Sequence, residues 1–83
     1  MFHGYGLLIY EEPQMGRFYE GDFQNNCKHG NGFEYIRGDV YVGKFINNKP
    51  EDPNGIFLWK NKDLYMGAFV NGMKHGLGRW ESG

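Results

Sequence analysis

The chain has 83 residues, a mass of 9.6 kDa and a formal net charge of −1 from nine basic and ten acidic residues. That size allows one folding unit, and charge this scattered excludes the basic surface that a nucleic-acid binder needs. Aromatics at 18% exclude disorder, fourteen glycines without a three-residue period exclude collagen, and no apolar run approaches the roughly 18 residues of a membrane span.

Residues 1–18 read as the trailing half of a repeated unit. His3-Gly4-Tyr5-Gly6 opens an apolar strand from Leu7 to Tyr10, with Met1 in the place that Met73 later takes. The connection Glu11 to Arg17 is lengthened relative to its counterparts, as loops readily are. A five-residue phrase then occurs three times: Tyr19-Glu20-Gly21-Asp22-Phe23, Tyr41-Val42-Gly43-Lys44-Phe45 and Tyr65-Met66-Gly67-Ala68-Phe69, starting 22 and 24 residues apart. A period near 23 means an array of one small unit that buries its apolar face only by stacking on neighbours. On a strand, rings at i and i+4 and the glycine at i+2 share one face, and the glycine leaves a slot for close approach of a neighbouring ring.

Each phrase leads into a polar reversal, Gln24 to Lys28 or Val70 to Lys74, where Asn and Gly tolerate positive φ. His29-Gly30-Asn31-Gly32 and His75-Gly76-Leu77-Gly78 open the return strands. The middle unit departs: Lys49-Pro50-Glu51-Asp52-Pro53-Asn54-Gly55 keeps only the second glycine and predicts a turn one residue longer, stiffened by two prolines. The chain is therefore one array over 1–83, a trailing half-unit at 1–18 followed by units at 19–40, 41–64 and 65–83. The predicted fold is all-β, a single-layer antiparallel sheet of stacked hairpins with about seven strands, because glycine or proline interrupts nearly every stretch long enough for a helix. Both ends fall inside a unit, so self-association through the open ends is expected.

The return strands are apolar on both faces. One row carries Leu8, Tyr10, Ile36, Phe57, Trp59 and Trp80; the other carries Leu7, Ile9, Phe33, Tyr35, Ile56 and Leu58. A curling sheet can bury one row as its core, and surplus exposed apolar surface marks an interaction site. The second row is assigned to that groove; exchange of the two rows is the alternative.

His3, His29 and His75 occupy one slot in successive units, so roughly 10 Å or more separates them. Metal ligands must lie within about 2 Å of one ion, so turn-capping is the expected role. Ser82 is the only serine, there is no threonine, and no Cys-Xaa-Xaa-Cys occurs; no catalytic, cofactor-binding or metal residue is expected, and the chain is no enzyme by itself. Lys28, Lys49 and Lys74 would form a short basic row along the turn edge. Such a row could contact anionic lipid at about 1 kcal/mol per lysine, or simply keep a sheet edge solvated. The lone Cys27, without an internal partner, points to a reducing, cytoplasmic setting.

Tyr-Xaa-Gly-Xaa-Phe followed by Asn71-Gly72 and His75-Gly76-Leu77-Gly78 resembles the MORN (membrane occupation and recognition nexus) repeat, over essentially the whole chain. The resemblance implies a curved sheet with a groove. It implies a non-catalytic scaffold that binds a protein segment such as an amphipathic helix, in a cytoplasmic setting associated with the cytoskeleton or cilium. Alternatives carried by the same resemblance are a peripheral membrane attachment module and an accessory domain of a larger enzyme. No nucleic acid and no cofactor is implied.

Overall fold

The computed structural model describes residues 3–11 and 15–83; Met1 and much of the lengthened Glu11–Arg17 connection lie outside them. Among the described residues there is no helix. The strands run β1 Gly4–Ile9, β2 Arg17–Gln24, β3 Cys27–Ile36, β4 Asp39–Ile46, β5 Lys49–Pro50, β6 Asp52–Leu58, β7 Leu64–Val70 and β8 Met73–Glu81. Seven of them form one antiparallel sheet in the order β1-β2-β3-β4-β6-β7-β8, with the two-residue β5 beside β4.

Two-residue turns join four of the hairpins, and their chemistry follows from sheet twist. Asn25–Asn26, Arg37–Gly38, Asn47–Asn48 and Asn71–Gly72 hold positive φ at both positions, the type I′ geometry that matches the right-handed twist of flanking strands. The middle unit was expected to need a longer turn and does not: Asn47–Asn48 is the same two-residue turn. Its extra residue, Glu51, instead splits the return strand into β5 and β6. Prolines cannot donate to the ladder there, and side chains compensate. The Asp52 carboxylate accepts from the backbone N–H of Lys44 (2.9 Å) and of Asn54 (2.8 Å), while Glu51 N–H donates to the Lys44 carbonyl (2.8 Å).

The core is a row of rings on one face. Tyr19, Phe23, Tyr41, Phe45, Tyr65 and Phe69, the aromatic positions of the three phrases, are buried, with Tyr10, Phe57 and Trp59 packed against them. They form an edge-to-face ladder in which each unit's tyrosine meets the next unit's phenylalanine: Tyr19–Phe45 at 5.0 Å and Tyr41–Phe69 at 5.0 Å, with Trp80 against Tyr65 at 5.2 Å. Each such pair adds about 0.5–1.5 kcal/mol beyond area burial. Among the described residues no second layer lies over these rings, so the sheet must curl toward them. Register shifts at Gly21/Phe23, Asp52/Gly55 and Gly67/Ala68 provide the bends.

The glycine slot is filled differently from the expectation of a neighbouring ring. Each tyrosine lies back along its own strand over the glycine two residues on. Its hydroxyl donates to the carbonyl one residue further: Tyr19 to Asp22 (2.7 Å), Tyr41 to Lys44 (2.9 Å), Tyr65 to Ala68 (3.2 Å). The second glycine of the return strand, Gly32, Gly55 or Gly78, sits against the same ring.

Burial, and then the charge of Asp22, raises the Tyr19 phenol from 10.0 to about 12, and burial beside Asp52 and Glu51 raises that of Tyr41. A raised folded value means stability that is whole below the unfolded value and lost as pH rises through the folded one. Denaturation midpoints are therefore expected to hold to about pH 10 and fall between pH 10 and 12. A midpoint flat across that window in urea titrations would contradict the buried phenols.

Candidate interaction face

Strand alternation sends every second residue to the face opposite the rings. The register lines these residues up in two rows across the sheet. The first row runs Leu7, Glu20, Phe33, Val42, Ile56, Met66 and Arg79; the second runs Ile9, Phe18, Tyr35, Val40, Leu58, Leu64 and Glu81. All six residues assigned to a groove from the sequence, Leu7, Ile9, Phe33, Tyr35, Ile56 and Leu58, lie in this band. The other row of the return strands packs toward the rings. The sequence reading took only the return strands, so it missed Phe18, Val40, Val42, Leu64 and Met66 of the outgoing strands. Their signal was the period-two alternation within and before the repeated phrase.

The band is apolar and open. Leu7 and Ile9 are 56% and 67% exposed, and Phe33, Val42, Ile56 and Leu58 are also exposed. Seven strands at about 4.8 Å spacing make it about 29 Å long. Phe18 anchors its β1 end, stacked on Tyr35 at 5.4 Å and Phe33 at 6.0 Å. Beside these rings Leu7, Ile9, Gly16, Arg17, Phe18, Glu20 and Tyr35 enclose a concavity of about 410 Å³. Between its ends the band carries one charge, Glu20, whose carboxylate accepts the Tyr5 hydroxyl at 2.7 Å. That hydrogen bond, more than any other factor, raises the Tyr5 phenol. Arg79 and Glu81, paired at 2.9 Å, close the β8 end.

The lysine row expected along the turn edge does not form. Lys28 is only 4% exposed and lies on the ring face, not the edge. Its Nζ is 2.9 Å from Glu34 Oε2 and donates to the Tyr10 hydroxyl at 3.0 Å, among the rings of Tyr10, Tyr19 and Phe45. The same Glu34 oxygen binds Arg17 at 2.9 Å, and the Arg17 guanidinium lies 4.4 Å over the Tyr10 ring. Burial of that lysine follows from a partner six residues away that a linear reading did not pair with it. Lys74 takes the equivalent slot in the last unit, but Trp59 and Trp80 stand where Tyr10 and Glu34 stand for Lys28. It lies 4.9 Å over the Trp59 ring and 5.5 Å from that of Trp80. Lys49 is exposed, and in the middle unit the slot belongs to Pro50, opposite Phe45.

The histidines stay apart. His3 Nδ1 accepts from Asn25 N–H (3.3 Å) and so caps a turn, a task that Glu51 Oε1 performs for Asn71 N–H (2.9 Å) in the departing unit. Among the described residues no group of three or more His, Cys, Asp or Glu side chains is placed to hold a metal ion.

The family model described as MORN repeat matches residues 19–40 and 65–83 and passes over the middle unit, where the prolines fall. Alsin from Rattus norvegicus, Mus musculus and Homo sapiens is 30% identical over 87 residues, an alignment that takes in 98% of this chain. The chain spans 5% of the length of these curated relatives.

Proposed function

The chain belongs to the MORN repeat family, a non-catalytic family of protein- and membrane-interaction modules, and from that premise we propose that its open band docks an apolar segment of a partner protein. The carrying observation is the band itself: two rows in register across the sheet, apolar from β1 to β7 except at Glu20 and closed by the Arg79–Glu81 pair on β8, left exposed or half-exposed while the opposite face holds the ring core. A length of about 29 Å suits an amphipathic helix of about 19 residues laid across the strands, at 1.5 Å per residue. Membrane attachment through the lysine row has less support, because burial of Lys28 leaves only two of its three members, Lys49 and Lys74, exposed.

Anchors in such interfaces concentrate in a few aromatic residues, here Phe18, Phe33 and Tyr35. A suitable probe is an uncharged amphipathic peptide of eighteen residues, with leucines on one face and glutamines on the other. Tyr35→Ala is expected to weaken its binding by about 2 kcal/mol, roughly 30-fold in Kd, while the thermal midpoint stays within a few degrees. Unchanged affinity per folded molecule, with a large loss of stability, would place Tyr35 in the core and refute the reading.

A further inference from the structure

The concavity at the β1 end differs from the rest of the band in holding an exposed carboxylate with no basic partner among the described residues. Its walls are the apolar side chains of Leu7, Ile9, Phe18 and Tyr35, and its volume of about 410 Å³ exceeds what one side chain needs. Glu20 sits among these walls. Its carboxylate accepts the Tyr5 hydroxyl at 2.7 Å, and among the described residues no Lys, Arg or His lies within salt-bridge distance of it. Arg17 also lines the concavity, yet its guanidinium is committed to Glu34 at 2.9 and 3.1 Å on the ring face. The pocket therefore carries one uncompensated negative charge.

From this we infer that the pocket is a specificity site for a basic side chain, arginine above all, on the segment that docks along the band. The aliphatic stem of such a side chain would lie against Leu7 and Ile9, as long basic side chains do on apolar surface. The Phe18 and Tyr35 rings stack on each other at 5.4 Å with 17° between planes, and a planar guanidinium can stack on a free face of that pair while it donates to Glu20. The Tyr5 hydroxyl holds the carboxylate for that contact. A neutral polar head would lack the charge-assisted hydrogen bond, and an acidic one would be repelled. The occupant is a protein segment in which a basic residue neighbours apolar ones. This rests on the docking role proposed for the band.

Two small probes separate the two ideas: n-butylguanidinium and its neutral isostere N-butylurea, each titrated into the whole 83-residue chain and followed by amide and methyl NMR shifts. Saturable shifts at Leu7, Ile9 and Phe18 are expected with both, with the cation bound about five-fold more tightly, as one exposed ion pair supports. Glu20→Gln should abolish that preference and leave butylurea binding unchanged; Tyr5→Phe should reduce the preference in part. Equal binding of the two probes to the wild-type chain would overturn the basic-residue site and leave the apolar pocket standing. Absence of saturable shifts with either probe would overturn both the site and the docking band at this end. A preference that survives Glu20→Gln would show that another group supplies the charge, and would also overturn the assignment.

Discussion

Glu34→Ala is expected to cost about 3–5 kcal/mol, the penalty for breaking a buried ion pair by removing one partner. The reason lies in Lys28, whose side chain is 5% exposed and whose charge is met by Glu34 at 2.9 Å. With the carboxylate gone the ammonium keeps only the Tyr10 hydroxyl and the ring faces around it. Arg17 loses the same partner, but its side chain is 28% exposed and can turn to water. For a domain of this size, where 1 kcal/mol moves the thermal midpoint by about 4–8 °C, the loss amounts to at least about 12 °C. Replacement of the pair as a whole should behave in the opposite way. Lys28→Met with Glu34→Leu is expected to hold wild-type stability within about 1 kcal/mol or exceed it, since well-packed apolar replacements of buried pairs are often neutral or stabilising. The chain supplies its own precedent: in the middle unit these two places are held by Pro50 and Phe57, both uncharged. Calorimetry on the single and double variants decides the matter. A single variant that melts with the wild type would mean that water reaches Lys28 freely.

Gly43→Val should be nearly as damaging, by crowding instead of by charge. A Cβ at Gly43 would stand 2.6 Å from the Tyr41 Oη and 2.9 Å from its Cζ, with an Asp52 carboxylate oxygen at 3.2 Å. Tyr41 has nowhere to retreat. It is 1% exposed, its hydroxyl donates to the Lys44 carbonyl at 2.9 Å, and its ring is held edge-to-face by Phe45 and Phe69. Overpacking of this kind costs about 1–3 kcal/mol. A hydroxyl driven off its acceptor adds about 1–3 kcal/mol if it stays buried. The middle unit should feel this most, because its ring contacts run to both neighbours. In urea denaturation the double variant Gly43→Val with Tyr41→Phe should lose less than the two single variants added together, because removal of the hydroxyl clears the nearest clash. Strict additivity, or a Gly43→Val midpoint equal to the wild type, would show that the slot is empty.

The repeat, the hairpins and the parity of the rows can be read from the chain alone. Those follow from local physics: strand period two sets which residues share a face, Asn and Gly set where the chain reverses, and a fixed spacing stacks like on like. Tyr19, Gly21 and Phe23, with their counterparts Tyr41, Gly43, Phe45, Tyr65, Gly67 and Phe69, could be identified before any coordinates because each choice depends on its own strand alone. Other features depend on side-chain contacts that are made only in the folded sheet. The tyrosines fill their own slots because each hydroxyl finds a carbonyl three residues on. Lys28 turns inward because Glu34 meets it from further along the same strand, Arg17 and Tyr10 join it from preceding segments, and Phe45 covers it from the next unit. The extra residue of the middle unit enters the strand and not the turn because Asp52 can replace the lost ladder bonds. Glu20 becomes the lone charge of an apolar pocket only once β1 pairs with β2, a register reached across a connection whose length hides it from the linear pattern. Faces were legible because alternation is local; partners were not, because burial and charge pairing are decided by surfaces that meet only when the units stack.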